Sequence, residues 1–147
     1  MHVLLATDGS QQSLEAARFL AKFVDPSAVE KITVVAVVRP LAAVPFAHDL
    51  EGEQPAGRTE AFALSFRREA QAAAERVAAE LQGKAPRVDT VVRSGSPADE
   101  IVRAADEIEA DLIVVGGRGK SAVGAILLGS VAYRVLHHAR CPVLVAR

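Results

Sequence analysis

The chain has 147 residues, half of them hydrophobic, which predicts one compact domain over residues 1–147 with a sizeable core. A formal net charge of -1 and the lack of Trp argue against a nucleic-acid surface, and no apolar run reaches the roughly 20 residues that a membrane span needs. A single cysteine, Cys141, excludes an internal disulfide and a CxxC metal site. Together with an N-terminus that runs straight into apolar residues, this favours a cytoplasmic protein with no membrane partner.

The first third of the chain predicts two strands around one helix. His2 to Thr7 is a short apolar run that ends at Asp8-Gly9-Ser10, which indicates a buried strand, a turn and a helix that begins near Ser10. That helix should stop at Asp25-Pro26. Ile32 to Val38 is unbroken and apolar, as is typical of a parallel strand covered on both faces. Prolines and glycines from Arg39 to about Arg58 predict a long mobile loop.

The rest of the chain alternates between helices and strands. Thr59 to Gln82 is rich in Ala, Glu, Arg and Leu and predicts the longest helix. The later elements are predicted in this order: an edge strand Val88–Val92, a helix to Ile108 with Pro97 as its first residue, a strand Leu112–Val115, a helix to about His138, and a strand Cys141–Val145. Five strands separated by helices predict an α/β fold with one open, mostly parallel, doubly wound sheet, whose ligands bind at the carboxyl ends of the strands.

The segment from Gly116 to Ser130 carries the clearest chemical signal. It places glycines and a hydroxyl between a buried strand and a helix, and such a junction offers backbone N–H groups and a helix N-terminus to an anion. A Walker A motif would need a glycine where Val114 stands, and the dinucleotide pattern GxGxxG would need one at Ala122. Both signatures fail, which argues against a nicotinamide enzyme. Alternatively, these glycines only permit a tight strand-to-helix connection.

What this segment resembles is the universal stress protein family, in its ATP-binding branch with the motif G-x2-G-x9-G-[S/T]. Gly116, Gly119, Gly129 and Ser130 occupy the fixed positions, and the similarity extends from Thr7 near the start to the last strand. The resemblance implies a Rossmann-like sheet of the adenine nucleotide alpha-hydrolase type, in strand order 3-2-1-4-5. It also implies bound ATP, with ADP, AMP and cyclic AMP as alternatives and Mg²⁺ accompanying ATP, and a homodimer formed through Cys141 to Val145.

The resemblance also implies roles for individual residues. Asp8 and Val37 match the adenine side of the site, Val115 packs there, and Ala132 departs from the Ser or Thr of many ATP-binding members. The full set expected at the nucleotide is Thr7, Asp8, Val37, Val115, Gly116, Gly117, Arg118, Gly119, Gly129, Ser130, Val131 and Ala132.

Simpler explanations exist for several of the polar residues. Asp8 precedes a helix, where a carboxylate is a common N-terminal cap. Ser10 and Ser13 fit capping or solvated groups better than nucleophiles, because no His and Asp pair is placed to activate either. His137 and His138 complement the dipole at a helix end, and Cys141 fits a core thiol.

No catalytic set is visible in the sequence. We therefore expect an ATP-binding regulatory protein of the stress response, with at most slow ATP hydrolysis. Two alternatives remain: an ATP-using enzyme of the wider adenine nucleotide alpha-hydrolase superfamily, and a dimeric interaction module that has lost nucleotide binding.

Overall fold

The computed structural model describes residues 1–40, 56–117 and 128–146, and the side chains of residues 56–60 lie outside this description. In chain order the elements are β1 (His2–Thr7), α1 (Gln11–Phe23), β2 (Lys31–Val38), α2 (Ala56–Glu80), β3 (Arg87–Ser94), α3 (Pro97–Glu107), β4 (Leu112–Gly116), α4 (Ser130–His138) and β5 (Val143–Ala146).

The five strands form one parallel sheet in the order β3-β2-β1-β4-β5. The predicted doubly wound fold and its strand order are therefore confirmed. Alternate residues of β1 supply the two faces: Val3 and Leu5 pack in one core cluster with α1 and α2, and Leu4 and Ala6 in another with α3 and α4. This two-sided burial explains the unbroken apolar runs, because neither face of the central strands meets water.

Helix starts follow the local chemistry that the sequence predicted. Ser10 caps α1, and its Oγ accepts a hydrogen bond from the Ser13 amide at 3.2 Å. Pro97 is the first residue of α3, where its missing N–H costs nothing.

Several predicted boundaries were wrong: α2 ends at Glu80 rather than Gln82, β3 spans Arg87–Ser94 rather than Val88–Val92, and two further differences have a clear physical reason. Residues 56–58 are helical rather than part of the loop, because one glycine costs a helix only about 1 kcal/mol relative to alanine, and a helix of 25 residues tolerates Gly57 at that cost. The rest of the expected loop, residues 41–55, lies outside the described part of the chain. The last strand begins at Val143 instead of Cys141, since Pro142 has no N–H for a ladder, and it runs to Ala146.

The sheet opens at one place along its carboxyl edge. Strand β1 pairs with β2 as far as Thr7 and Ala36, and β4 pairs with β5 as far as Gly116 and Ala146. The pairing between β1 and β4 ends earlier, at Leu5 and Val114. The last two residues of β1 therefore diverge from the last two of β4. This split lies at the centre of the sheet, where the strand order reverses and where ligands of such folds enter.

Candidate functional site

A cavity of about 480 Å³ occupies the split between β1 and β4, a volume within the usual range for small-molecule sites. Its walls come from the carboxyl ends of β1, β2 and β4, from one side of α2, and from the starts of α1, α3 and α4. The lining is Ala6, Thr7, Asp8, Ser13, Ala36, Val37, Val38, Arg39, Phe66, Glu69, Ala70, Ala73, Pro97, Ile101, Val115, Gly116, Gly129, Ser130, Val131 and Ala132.

Most of the residues expected at the nucleotide line this one cavity. Gly117 is buried beside it and is not part of the lining, and Arg118 and Gly119 lie outside the described residues. Those that line the cavity are Thr7, Asp8, Val37, Val115, Gly116, Gly129, Ser130, Val131 and Ala132.

The glycines at the junction do not all offer their amides to the cavity. The Gly117 amide donates to the Ala146 carbonyl at 2.6 Å, and the Gly129 amide donates to the Gly117 carbonyl at 2.8 Å. The hydrogen bonds of α4 itself begin with Tyr133, whose amide donates to the Gly129 carbonyl at 2.9 Å. The expectation that glycine amides would meet an anion is thus corrected for these two groups.

The amides that remain for an anion belong to the first turn of α4. Ser130, Val131 and Ala132 precede Tyr133, so the helix gives their N–H groups no carbonyl partner of its own. All three residues line the cavity. The positive end of the helix dipole adds to the attraction of an anion at this wall.

At the far side of the split, β2 continues to Val38, two residues past the end of its pairing with β1 at Ala36. The Val38 carbonyl accepts a hydrogen bond from the Gly95 amide at 2.9 Å, which points it toward β3. Backbone groups alternate in direction along a strand, so the Val37 carbonyl points toward β1, whose pairing stops at Ala36. The next amide of the β1 side, that of Gly9, donates instead to the Thr7 hydroxyl at 3.1 Å. The Val37 carbonyl is therefore positioned to accept a hydrogen bond from a ligand.

Two buried hydroxyls add further acceptors. Ser13 Oγ donates to the Ser10 carbonyl at 2.9 Å, so its hydrogen is used. Thr7 Oγ1 and Ser13 Oγ are 2.8 Å apart, and Thr7 must therefore be the donor in that contact. Both hydroxyl hydrogens are committed within the protein. These two oxygens can therefore offer only lone pairs to the cavity, which suits a ligand that donates hydrogen bonds.

The structure gives Asp8, Ser10 and Ser13 three different roles at the start of α1. The cap of α1 is Ser10, and Asp8 Oδ1 accepts from the Ser10 amide at 3.0 Å in a local turn. Asp8 is exposed and lines the cavity, so its carboxylate can face a ligand. Ser13 is buried, which corrects the expectation that it is a capping or solvated group.

One wall of the cavity was missed by the sequence reasoning. Phe66, Glu69, Ala70 and Ala73 follow the spacing i, i+3, i+4 and i+7, so they share one face of α2. That periodicity was visible in the sequence, but nothing there indicated which partner the face meets. The cavity residues outside the predicted set are Ala6, Ser13, Ala36, Val38, Arg39, Phe66, Glu69, Ala70, Ala73, Pro97 and Ile101.

The remaining candidates lie away from the cavity. Cys141 is half-buried and packs beside the core cluster under α3 and α4, and burial raises the pKa of its thiol. His137 lies in the last turn of α4, as predicted, with its ring 4.7 Å from that of Tyr133.

Within residues 1–40, 56–117 and 128–146, no group of three metal-binding side chains occurs. None of the helices described is long and apolar enough to cross a membrane.

Comparison with known proteins gives one consistent result. A model of the universal stress protein family matches residues 1–147. The Thermus aquaticus "Universal stress protein in QAH/OAS sulfhydrylase 3'region" is 37% identical over 147 residues, which cover 99% of this chain and 97% of that protein.

Solved structures agree with this. Protein MJ0577, at 26% identity, matches with a TM-score of 0.79 over 99% of this chain and 94% of its own. A universal stress protein solved in complex with cAMP matches with a TM-score of 0.61 at 27% identity, over 100% of this chain and 96% of its own.

Proposed function

The chain belongs to the universal stress protein family, and from that premise we propose that the cavity between β1 and β4 binds an adenine nucleotide, ATP in particular, as a regulatory ligand. The observation that carries the proposal is the chemistry of the two cavity ends. Hydrogen-bond acceptors lie at the β2 side, and unpaired helix amides lie at the α4 side. A solved relative in complex with cAMP supports an adenine ring in this fold.

The acceptor end fits the amino edge of adenine. At ring position C6 adenine carries an exocyclic amino group, which donates, and guanine carries a keto oxygen, which accepts. The Val37 carbonyl and the oxygens of Thr7 and Ser13 can only accept in this arrangement. Guanine bound in the same orientation would place its keto oxygen against lone pairs, and a buried mismatch of this kind costs about 1–3 kcal/mol.

The amide end fits phosphate. In this proposal the amides of Ser130, Val131 and Ala132 bind the phosphate nearest the ribose, Gly116 and Val115 border the ribose, and Asp8 lies at the mouth beside the nucleoside. Arg118 and Gly119 complete the site by the family resemblance. Mg²⁺ would accompany ATP as its usual counter-ion.

A regulatory role without efficient catalysis follows from what the site contains. Hydrolysis of ATP requires a positioned water and a group that orients it, and Asp8 and Glu69 are the only acids of the described lining. Binding would then act through the conformation of the surrounding loops and the dimer surface. A location in the cytoplasm, where nucleotide is abundant and a lone thiol stays reduced, completes the proposal; cell fractionation with a tagged chain tests it.

Proline at position 130 provides a sharp test of the phosphate end. Ser130 is the first residue of α4, a position that accepts proline, and Gly129 has φ -61° and ψ 147°, which suits a residue before proline. Ser130→Pro removes one amide and the hydroxyl with little change to the helix, and Ser130→Ala removes the hydroxyl alone. A lost hydrogen bond to a charged group costs about 1.5–3 kcal/mol, so we expect Ser130→Pro to weaken binding of ATP and AMP by roughly tenfold or more relative to Ser130→Ala.

Isothermal titration calorimetry and product analysis separate the candidate functions. Binding of ATP that exceeds binding of GTP, without turnover, supports the proposal. Turnover that requires a second substrate would favour the enzyme alternative. If wild-type protein binds no adenine nucleotide, the chain is better described as an interaction module, and the proposed function is wrong.

The dimer is a separate part of the proposal. Strand β5 is the sheet edge, and the carbonyls of Pro142 and Ala146 face β4. Backbone groups of Val143 and Val145 therefore point to the open edge, where a second β5 would add. Val145→Pro removes an edge N–H and spares the ladder with β4, so sedimentation equilibrium should show a weaker dimer. The matched control Val145→Ala keeps the N–H and should dimerise like wild type.

A further inference from the structure

A second cavity, of about 430 Å³, adjoins the proposed nucleotide site around the start of α4. The two cavities share four wall residues, Arg39, Pro97, Ser130 and Val131. A ligand whose phosphate lies on the first turn of α4 therefore reaches the second cavity as its chain lengthens.

The second cavity is cationic. Its described lining consists of Arg39, Pro40, Gly95, Ser96, Pro97, Ala98, Ser130, Val131 and Arg134, so arginines are its only ionisable members. Arg39 follows the end of β2 and Arg134 lies on α4, so the two guanidinium groups come from separate elements on one cavity. Guanidinium groups bind phosphate oxygens through paired hydrogen bonds, which suits the charged end of a polyphosphate.

One acid outside this lining competes for Arg134. Asp99, in the first turn of α3, has its Oδ1 3.2 Å from Arg134 Nη2. Both side chains are about half exposed, at 53% for Arg134 and 49% for Asp99. Exposed pairs of this type contribute only about 0–1 kcal/mol, so a phosphate group carrying more charge than a carboxylate can displace Asp99 at little cost. Until then, Asp99 holds the Arg134 side chain near the cavity.

We infer that this second cavity receives the terminal phosphates of the nucleotide, and that Arg39 and Arg134 make the protein select triphosphates over monophosphates. The inference rests on the proposed function and deepens it, because it assigns the preference for ATP to two named arginines and to a second cavity. The two sets of donors have different roles. The α4 amides contact the phosphate that AMP and ATP share, and the arginines contact only the phosphates that ATP adds.

Calorimetry with ATP and AMP on Arg39→Gln and Arg134→Gln tests this. Each variant should weaken ATP binding by roughly tenfold and change AMP binding by less than about twofold. Unchanged AMP binding also shows that the variant folds. Asp99→Asn, which frees Arg134, should tighten ATP binding. Arg140→Gln is the matched control, because it removes the same net charge at a site away from the cavity. Arg140 is 83% exposed, and its Nη1 lies 3.7 Å from Asp106 Oδ2.

Two results would overturn the inference while the proposed function stands: wild-type protein that binds AMP as tightly as ATP, or arginine variants that weaken AMP and ATP equally. An equal loss of ATP affinity in Arg140→Gln would show that net charge alone is responsible, and would also overturn it. Absence of any adenine nucleotide binding by wild-type protein would instead contradict the proposed function itself, and the inference with it.

Discussion

Gly95, in the turn between β3 and α3, occupies a position that we expect to accept only glycine. Its φ is 154°, within the range that side chains rarely adopt, and its amide donates to the Val38 carbonyl at 2.9 Å. A Cβ added there would lie 2.8 Å from Glu100 Cγ and 3.0 Å from Glu100 Oε1. Gly95→Ala therefore combines backbone strain with a side-chain clash.

The size of the effect depends on whether Glu100 can move. Its side chain is only 11% exposed, and its carboxylate lies 2.6 Å from Arg103 Nη1 and 3.6 Å from Arg93 Nη1. The unfavourable φ costs of the order of 1–3 kcal/mol, and displacing Glu100 weakens bonds to partly solvated arginines. We expect Gly95→Ala to lower the free energy of unfolding by roughly 2–4 kcal/mol, which corresponds to about 5–12 °C in Tm for a chain of this size.

Urea denaturation of two glycine variants separates strain from clash. Gly83 has φ 75° with nothing within 4 Å of its added Cβ, so Gly83→Ala should cost only the conformational part, about 1–2 kcal/mol. In a Glu100→Ala background, Gly95→Ala should lose the clash component and keep only the conformational cost of its own φ. If Gly95→Ala costs the same in the wild-type and Glu100→Ala backgrounds, the clash with Glu100 is refuted.

Four further perturbations test other parts of the structure. Ser13→Ala leaves the buried Thr7 hydroxyl without its acceptor and should cost about 1–3 kcal/mol in urea denaturation; a neutral result would contradict the hydroxyl chain. Leu20→Ala empties a fully buried site and should cost about 2–5 kcal/mol by the same method, whereas a cost below 1 kcal/mol would place Leu20 outside the core. Burial first, and Lys31 second, lower the pKa of His2 below its usual 6.5, so the unfolded chain binds the proton more readily and stability falls as pH drops through about 6.5. His2→Gln should flatten the dependence of Tm on pH between about pH 7 and pH 5, and an unchanged slope would contradict this assignment. Because burial raises the pKa of Cys141, its reaction with a disulfide reagent near pH 8 should be slower than that of free cysteine, and should reach the free rate in urea.

The sequence predicted the fold well because its signals are local. Apolar runs marked the strands, Ser10 and Pro97 marked helix starts, and the strand order came from a family resemblance that the structure confirms. Boundaries failed where a local rule has an exception, as at Gly57, because one glycine costs a long helix only about 1 kcal/mol. Arg118 and Gly119, which the motif assigns to the nucleotide, remain predictions.

The cavity chemistry was harder to predict because it depends on register. No local pattern shows that β1 stops pairing with β4 at Leu5 while it continues with β2 to Thr7, although this difference creates the split. The directions of the hydroxyl hydrogens of Thr7 and Ser13 depend on a carbonyl that a third residue provides, which only coordinates reveal. A tertiary arrangement of this kind leaves no periodic signal in the chain.

The internal hydrogen bonds of the Gly117 and Gly129 amides explain how the amides of Ser130 and Val131 stay available to a ligand. The Gly117 carbonyl holds the Gly129 amide at the start of α4, and the Gly117 amide is held by β5 through Ala146. These two bonds fix the first turn of α4 against the end of β4, so the amides of Ser130 and Val131 would not need to move for the proposed nucleotide to bind. Preorganised donors bind more tightly than donors that a ligand must first order. Gly129 of the motif and the neighbouring Gly117 therefore tie the helix to the sheet, and the residues that follow Gly129, which are Ser130, Val131 and Ala132, line the cavity.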